Sequence, residues 1–239
     1  MNYNLEKFET GLRELNIELS EHQLQQFLDY YELLVEWNKV MNLTAITEFD
    51  EVIEKHFLDS LCLVKIKDCS KNLKVLDLGT GAGFPGIPLK IAFPEMEIVL
   101  MDSLNKRINF LNEVISRLGL KNITAVHGRA EEMARKKKYR EMFDLCVSRA
   151  VANLSSLSEY CLPFVKKEGC FISYKSAESD QEIADAKNAV FLLGGKIGEI
   201  IKYQVPGSDM GRALVQINKM KPTPKAYPRK AGTPGKNPL

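Results

Sequence analysis

A series of glycines directly after an apolar segment is the part of the sequence best suited to chemistry. Residues 74–78 (KVLDL) read as a buried strand, and Gly79, Gly81 and Gly83 follow at alternate positions. Glycine allows positive φ and lets a ligand approach the backbone closely. In open parallel sheets, the first turn between a strand and a helix lies where ligands bind. The sequence therefore predicts a site for a nucleotide-type cofactor at this turn.

A carboxylate at the end of the next strand supports this interpretation. Asp102 follows residues 97–101, and a carboxylate can accept both hydroxyls of a ribose through charge-assisted hydrogen bonds. Gly81, Gly83 and Gly86 also match the dinucleotide fingerprint, so an NAD-binding oxidoreductase is an alternative from another class. These glycines begin two residues after Gly79, so the fingerprint does not directly follow the strand, which counts against that alternative.

Alternating strands and helices are expected to position these residues. The pattern predicts strands at about 73–78, 97–101, 123–127, 143–148 and 169–174, each followed by a helix. Two closing strands, near 195–205 and 212–219, leave no room for a helix between them and should pair antiparallel. The expected fold is α/β, a doubly wound, seven-stranded, mostly parallel sheet.

The first 65 or so residues are predicted to form helices. Leu5, Phe8, Leu12 and Leu15 recur at helical spacing, and a segment from Ser20 to Gln23 has the form of a capping box. Trp37 and residues 42–46 interrupt the helical period, and a further helix is expected after residue 50. We therefore divide the chain into a helical cap (1–66), a cofactor-binding domain (67–220) and a Pro/Gly-rich tail (221–239), which should lie extended over a surface.

Composition excludes several classes of protein. The 239 residues are 45% hydrophobic and 27% charged, as in a soluble globular protein. No apolar run is long enough to span a membrane, and the acidic, amphipathic start is unlike a secretory signal. The five cysteines are dispersed without a C-x-x-C pair, which is typical of reduced core thiols. We expect a cytoplasmic protein without a metal site.

The net charge of +2 hides a strong gradient along the chain. Residues 1–60 carry a net charge of −9, residues 61–209 carry +4, and residues 210–239 carry +7. This distribution favours a polyanionic partner that binds one face of the protein.

Seven segments resemble one known family in the right order. They are NLTAI (42–46), HFLDSL (56–61), DLGTGAGFPGIPL (77–89), MDSLNKRINFL (101–111), GRAEE (128–132), SRAVANL (148–154) and PRKAGTPGKNPL (228–239). Together they resemble the bacterial small-subunit rRNA guanine-N7 methyltransferases. The resemblance runs from about residue 37 to the end of the chain, and the PGIPL turn and the tail are far more specific than the glycines.

The resemblance implies a class I (Rossmann-like) methyltransferase domain that binds S-adenosylmethionine. The implied cofactor residues are Gly79, Gly81, Phe84, Asp102, Ser103, Leu104, Ala130, Glu131 and Arg149, with Asp77 as a second-tier residue. Of these, Phe84 should line the methionine end, and Arg149 should lie near the reacting centre. An internal ion pair of Arg149 with Asp144 or Asp77 is the structural alternative.

The resemblance also implies the reaction and the partner. The product would be 7-methylguanosine at nucleotide 527 of 16S rRNA, in the small ribosomal subunit. Guanine N7 has a free lone pair, so positioning suffices, and no catalytic base is expected. Candidate RNA contacts are Lys106, Arg107, Lys175, Arg212, Arg229, Lys230 and Lys236. Removal of the tail after Met220 should weaken RNA binding and leave cofactor binding intact.

Two further hypotheses stay open at this stage. A methyltransferase could act on another RNA, a protein or a small molecule, since composition and spacing alone indicate only a nucleotide-type cofactor and a basic tail. A non-catalytic RNA-binding protein would leave the glycine loop and Asp102 without a purpose. Nothing in the sequence requires a dimer, and we expect a monomer.

Overall fold

A computed structural model describes residues 3–149 and 152–239 of the chain. The segment SRAVANL therefore includes two positions, Ala150 and Val151, that lie outside the described residues. The strands are β1 (Lys74–Leu78), β2 (Glu97–Asp102), β3 (Ile123–His127), β4 (Phe143–Ser148), β5 (Val165–Ser176), β6 (Gly195–Gln204) and β7 (Gly211–Lys219).

The seven strands form a single sheet in the order β3-β2-β1-β4-β5-β7-β6. The first five strands are parallel, and β7 pairs antiparallel with both β5 and β6. This arrangement confirms the predicted doubly wound sheet with its closing hairpin. The strand order reverses between β1 and β4, and the crevice outside the carboxyl ends of these strands is where such sheets bind ligands.

Helices cover both faces of the sheet after each parallel strand. They are α5 (Gly86–Ala92), α6 (Asn105–Arg117), α7 (Ala130–Met133), α8 (Leu154–Cys161), α9 (Asp180–Asp185) and α10 (Lys187–Leu192). Successive side chains of β1 point to opposite faces, so Val75 and Leu76 belong to two different apolar clusters. The five cysteines are free and buried, in agreement with their interpretation as core thiols.

The N-terminal helices share the core of one face of the sheet. They are α1 (Glu6–Glu14), α2 (Glu21–Met41) and a continuous helical run made of α3 (Phe49–Val52), a π-helical turn (Ile53–Leu58) and α4 (Asp59–Leu61). Ser20 and Gln23 form the predicted capping box. The expected interruption at Trp37 is wrong, because α2 continues to Met41, and the Trp37 ring packs on Phe110.

The C-terminal tail is folded against the domain. It contains a short helix, α11 (Thr233–Lys236), and three of its residues are buried, namely Thr223, Pro228 and Pro234. The expectation of an extended tail is therefore corrected. Prolines exclude a long helix from this segment, but side chains of the domain bind its carbonyl groups and hold it in place. No helix within the described part of the chain is both long and apolar enough to cross a membrane.

Candidate functional site

The loop after β1 is held by the sheet and by the helical cap. Gly79 N–H donates to the Met101 carbonyl oxygen at 2.9 Å, and the buried Tyr30 hydroxyl of α2 donates to the Ala82 carbonyl oxygen at 2.5 Å. Gly83 has φ +104°, and a Cβ there would lie 2.8 Å from the Tyr30 hydroxyl oxygen. The close approach of α2 therefore requires glycine at this position, and the loop conformation depends on the cap.

The Asp77 carboxylate holds the same loop through hydrogen bonds. Its Oδ2 accepts hydrogen bonds from the Thr80 hydroxyl at 2.6 Å and from Gly86 N–H at 2.8 Å, while Oδ1 is buried without a partner in the described structure. Burial raises the pKa of this carboxyl to about 7, and the two hydrogen bonds oppose that shift. Asp77 therefore fixes the loop and does not line the cavity beside it, as expected of a second-tier residue.

Asp102 ends β2 with three donors around its carboxylate. Gly81 N–H donates to Oδ2 at 3.0 Å, Leu104 N–H donates to Oδ1 at 2.9 Å, and Arg107 Nη1 donates to Oδ2 at 3.1 Å. The side chain is almost fully buried, with only 2% of its surface exposed. The glycine loop and the start of α6 therefore hold this carboxylate in a fixed orientation.

A cavity of about 350 Å³ opens beside this carboxylate, at the carboxyl ends of the parallel strands. Five of the predicted cofactor residues line it, namely Gly79, Asp102, Ser103, Ala130 and Glu131. The walls are completed by Leu78, Met101, Arg107, Gly128, Arg129, Ser148, Ala152, Leu157, Tyr160 and Gly232. The mixture of an apolar wall with a few polar groups is typical of a small-molecule site.

The sequence did not indicate that the tail forms part of this wall. Gly232 N–H donates to Glu131 Oε1 at 2.8 Å, so one of the predicted adenine-side residues is held by the tail. The Ser156 hydroxyl of α8 also donates to the Pro234 carbonyl oxygen at 2.7 Å. The C-terminal segment therefore closes one side of the cavity.

An ion pair anchors the tail next to the cavity. The Arg229 guanidinium binds both carboxylate oxygens of Glu159, with Nη2 at 2.6 Å from Oε2 and Nε at 3.0 Å from Oε1. Glu159 is fully buried on α8, and these hydrogen bonds raise the pKa of Arg229. Arg140 adds a second anchor by donating to the Thr223 and Tyr227 carbonyl oxygens at 2.8 and 3.0 Å.

Arg149 follows β4 and is bound by the helical cap. Its Nη1 donates to Asp59 Oδ2 at 2.9 Å and to the Lys55 carbonyl oxygen at 2.9 Å. The guanidinium carbon lies 5.0 Å from the centre of the Phe84 ring. The expected ion pair of Arg149 with Asp144 or Asp77 is wrong. The helical run that contains the π-helical turn brings Asp59 to this side of the sheet, and Arg149 pairs with it instead.

Phe84 lies beneath the loop and not in the cavity wall. Its ring stacks on His56 with 4.4 Å between ring centres and contacts Tyr30 at 5.4 Å. His56 Nε2 lies 3.0 Å from the Thr44 hydroxyl oxygen, while Nδ1 lies 3.2 Å from Arg149 Nη2 and 3.0 Å from the Lys55 carbonyl oxygen. The arginine contact requires an unprotonated Nδ1, whereas a hydrogen bond to the carbonyl oxygen requires a protonated one.

Burial and the positive charge of Arg149 lower the pKa of His56 to about 3. An unfolded histidine titrates near about pH 6.5, so below that pH the unfolded chain binds a proton that the folded chain does not. We expect His56 to reduce the free energy of unfolding by about 1 kcal/mol for each pH unit below about 6.5. Urea unfolding at several pH values between about 6.5 and 4.5 measures this slope.

The variant His56→Gln isolates this contribution. Its change in free energy of unfolding per pH unit should differ from that of the wild type by about 1 kcal/mol. The exposed residue His22 on α2 provides the control, and His22→Gln should keep the wild-type slope. Asp77 acts in the opposite direction, because its raised pKa makes the folded state lose stability as the pH rises towards about 7. Equal slopes for wild type and His56→Gln would contradict the assignment.

The structure divides the basic residues proposed to contact RNA into three groups. Lys106, Lys230 and Lys236 are exposed. Arg229 is paired with Glu159, and the buried Lys175 Nζ donates to the Ala152 carbonyl oxygen at 2.7 Å and pairs with Glu182 at 2.6 Å. Because these two cations are neutralised within the chain, the structure argues against them as phosphate contacts.

The other two basic residues lie closer to the site than the sequence indicated. Arg107 lines the cavity and binds Asp102, and Arg212 Nε lies 3.5 Å from Asp59 Oδ1. Tyr160 and Gly232 also line the cavity and were missed. Arg107 could have been found from its helical spacing of five residues after Asp102, whereas no local signal in the sequence brings Gly232 to Glu131.

Comparisons with known proteins agree with this geometry. A model of the family described as rRNA small subunit methyltransferase G matches residues 23–207. The chain is 60% identical to the ribosomal RNA small subunit methyltransferase G of Lachnoclostridium phytofermentans over 97% of this chain and 96% of that protein. It is 54% identical to the protein of the same name from Desulforamulus reducens, over 95% of each chain.

Solved structures show the same fold at much lower sequence identity. A SAM-dependent methyltransferase from Aquifex aeolicus matches with a TM-score of 0.55 and 16% identity, over 74% of this chain and 96% of that chain. A fibrillarin pre-rRNA processing protein from Methanococcus jannaschii matches with a TM-score of 0.53 and 17% identity, over 67% and 74%. These likenesses confirm the predicted class I fold.

Proposed function

This chain belongs to the rRNA small subunit methyltransferase G family, and from that premise we propose that it methylates N7 of one guanine in 16S rRNA. Members of the family are methyltransferases of small-subunit rRNA that use S-adenosylmethionine, and the chain is an enzyme of this kind. The specific nucleotide that we propose is guanine 527 of 16S rRNA. The observation that carries the proposal is the cavity beside Asp102 in a chain of this family.

The residues around the cavity suit S-adenosylmethionine. Asp102 is a buried carboxylate beside the glycine loop, and it retains lone pairs for the hydroxyls of a ribose. The apolar wall includes Leu78, Met101 and Leu157, which can contact an adenine ring. The volume of about 350 Å³ lies within the range found for sites that enclose small molecules. The cavity therefore fits the cofactor that the family uses.

We propose roles for the predicted residues on this basis. Asp102 accepts hydrogen bonds from the ribose, and Ser103 and Leu104 border the ribose and adenine edge. Ala130 and Glu131 lie on the adenine side, while Gly79 and Gly81 allow the cofactor to approach the backbone. Phe84 acts indirectly, because its ring supports the loop and the Arg149 guanidinium.

When bound, S-adenosylmethionine supplies a methyl group attached to a positively charged sulfur. Transfer of this methyl group to the lone pair of guanine N7 would leave the electrons of the carbon–sulfur bond on sulfur. No proton leaves N7 in this step, so the enzyme needs to align the two reactants and exclude water. In residues 3–149 and 152–239 no cluster of His, Cys, Asp or Glu side chains could hold a metal ion.

The distribution of charge supports an RNA substrate. The exposed residues Lys106, Lys230 and Lys236 lie on α6 and in the tail, and α6 begins just after the cavity residue Ser103. Contacts to phosphate groups bind RNA without reading its sequence, and they weaken as salt is added. We propose that these residues orient the rRNA while the target base is extruded towards the cavity. We also propose that the enzyme acts as a monomer.

Transfer of a labelled methyl group tests the proposal. The purified protein is incubated with labelled S-adenosylmethionine and either naked 16S rRNA or small subunits that lack the modification. The labelled nucleoside is then identified by mass spectrometry. We expect 7-methylguanosine at a single position. Label in a different nucleoside would exclude N7 of guanine, and no transfer despite tight cofactor binding would indicate a different substrate.

A further inference from the structure

One buried carboxylate holds two arginines at the interface between the cap and the sheet. Asp59 on α4 is fully buried, and its Oδ2 accepts the hydrogen bond from Arg149 Nη1 at 2.9 Å. Arg212 Nε on β7 lies 3.5 Å from Oδ1, and the Tyr203 hydroxyl lies at the same distance from that atom. Two arginine side chains, Arg149 and Arg212, therefore lie against the single carboxylate of Asp59.

His56 and Tyr203 do not supply the missing negative charge. His56 is neutral at physiological pH, because burial and Arg149 lower its pKa to about 3. Burial and the negative charge of Asp59 raise the pKa of Tyr203 well above its usual range, so the phenol is neutral as well. The Nζ of Lys65 lies 5.9 Å from the centre of the Tyr203 ring and adds positive charge. Asp59, Arg149, Arg212 and Lys65 together carry a net positive charge, and the buried Asp77 carboxyl also acts electrostatically on Arg149.

The uncompensated charge is accessible from solvent. The Arg149 and Arg212 side chains are 16% and 30% exposed, whereas Asp59 is 0% exposed. The Arg212 Nε is buried and makes no hydrogen bond in the described part of the protein. Because Nε is buried against Asp59, an anionic ligand would bind the exposed part of the Arg212 guanidinium.

The cluster lies next to the cavity. Arg149 directly follows Ser148, a cavity residue whose hydroxyl donates to the Leu78 carbonyl oxygen at 2.8 Å. The Arg149 guanidinium also packs on Phe84 of the glycine loop. β7 pairs with β5, and Arg212 is opposite Ser176 at the carboxyl end of β5. All these positions lie at the edge of the sheet where the parallel strands end.

We propose that Arg149 and Arg212 bind a phosphodiester group of the substrate RNA beside the target base, and that Asp59 is the positioning residue that holds both guanidiniums. The inference rests on the proposed function, because it requires an RNA substrate. Guanidinium groups suit this role, since they donate several hydrogen bonds in a fixed plane to phosphate oxygens. One residual positive charge matches one phosphodiester.

The variant Arg212→Gln tests the phosphate contact. The control is Lys196→Gln, because Lys196 is exposed on β6 of the same hairpin. Lys196 lies seven residues from Tyr203, the partner of Arg212, and thus about 20 Å away along the strand. Both variants remove one positive charge, so a nonspecific effect of net charge would change both equally.

Binding of an rRNA fragment with the target loop is measured at several salt concentrations, and cofactor binding is measured by calorimetry. For Arg212→Gln we expect RNA affinity about tenfold weaker, a slope of log K against log salt reduced by about 0.7, and unchanged cofactor affinity. Lys196→Gln should keep the wild-type slope. An unchanged slope for Arg212→Gln would overturn the proposal. Loss of cofactor affinity would overturn it too, and would assign the cluster to the carboxylate of the cofactor.

The variant Asp59→Asn tests the positioning role. It removes a negative charge, so a purely electrostatic effect would strengthen RNA binding. If Asp59 positions the arginines, RNA binding should weaken, by about three- to tenfold, although the protein becomes more positive. Tighter RNA binding would contradict the role of Asp59. These comparisons use RNA affinity and its slope, so they remain distinct from the methyl-transfer assay, whose failure would reject the proposed function itself.

Discussion

Replacing Asp102 with alanine is expected to abolish measurable binding of S-adenosylmethionine. The carboxylate can accept two ribose hydroxyls, and each charge-assisted hydrogen bond contributes about 1.5–3 kcal/mol. Their loss weakens affinity by about 10²–10⁴-fold, since each 1.4 kcal/mol is about tenfold. The variant also leaves Gly81 N–H and Leu104 N–H without their acceptor, so the empty loop becomes less ordered. Isothermal titration calorimetry measures the affinity directly.

A control separates this effect from a general loss of negative charge. Asp209 is exposed in the turn between β6 and β7, and Asp209→Ala should keep the wild-type affinity. A second variant, Asp102→Asn, keeps the size of the side chain and one oxygen acceptor, and it should bind the cofactor with intermediate affinity. Wild-type affinity of Asp102→Ala would reject Asp102 as the ribose ligand.

Removal of the tail after Met220 is expected to abolish cofactor binding as well as to weaken RNA binding. This result differs from the expectation based on sequence, because Gly232 forms part of the cavity wall and binds Glu131. Truncation also leaves the buried Glu159 carboxylate without Arg229, and loss of one partner of a buried ion pair destabilises a fold by about 3–5 kcal/mol. Thermal unfolding and calorimetry measure the two effects.

If the truncated chain fails to fold, a point variant at Arg229 tests whether its ion pair with Glu159 holds the tail. Arg229→Ala should lower the free energy of unfolding by about 3–5 kcal/mol and weaken cofactor binding. The neighbouring residue Lys230 is exposed, so Lys230→Ala should change stability by less than about 0.5 kcal/mol and leave cofactor affinity intact. Equal stability of the two variants would show that the ion pair does not hold the tail.

Most of the fold could be predicted from the sequence, because the signals for strands and turns are local. The alternation from residue 73 onward, with glycines after the first strand, specified the parallel sheet and the position of its ligand crevice. The closing hairpin followed from the short interval between β6 and β7. Local signals were also sufficient for the position of Asp102, since the end of a parallel strand is defined by the strand itself.

The long-range contacts of the site could not be predicted. The pairing of Arg149 with Asp59 spans 90 positions, and that of Arg229 with Glu159 spans 70. In both cases charges that seemed available for a ligand turned out to be bound to carboxylates on distant helices. Composition gives the number of charges, but only the packing of the cap and the tail decides which of them face solvent.

The position of the tail determines when, during protein synthesis, the cofactor site can form. A chain leaves the ribosome from its N-terminus, and domains begin to fold in that order. The cap, the glycine loop and Asp102 all emerge early, yet the cavity wall also includes Gly232, 130 positions after Asp102. The cofactor site therefore becomes complete only when Gly232 has left the ribosome and reached Glu131. A chain that stops before this position would lack part of the cavity wall.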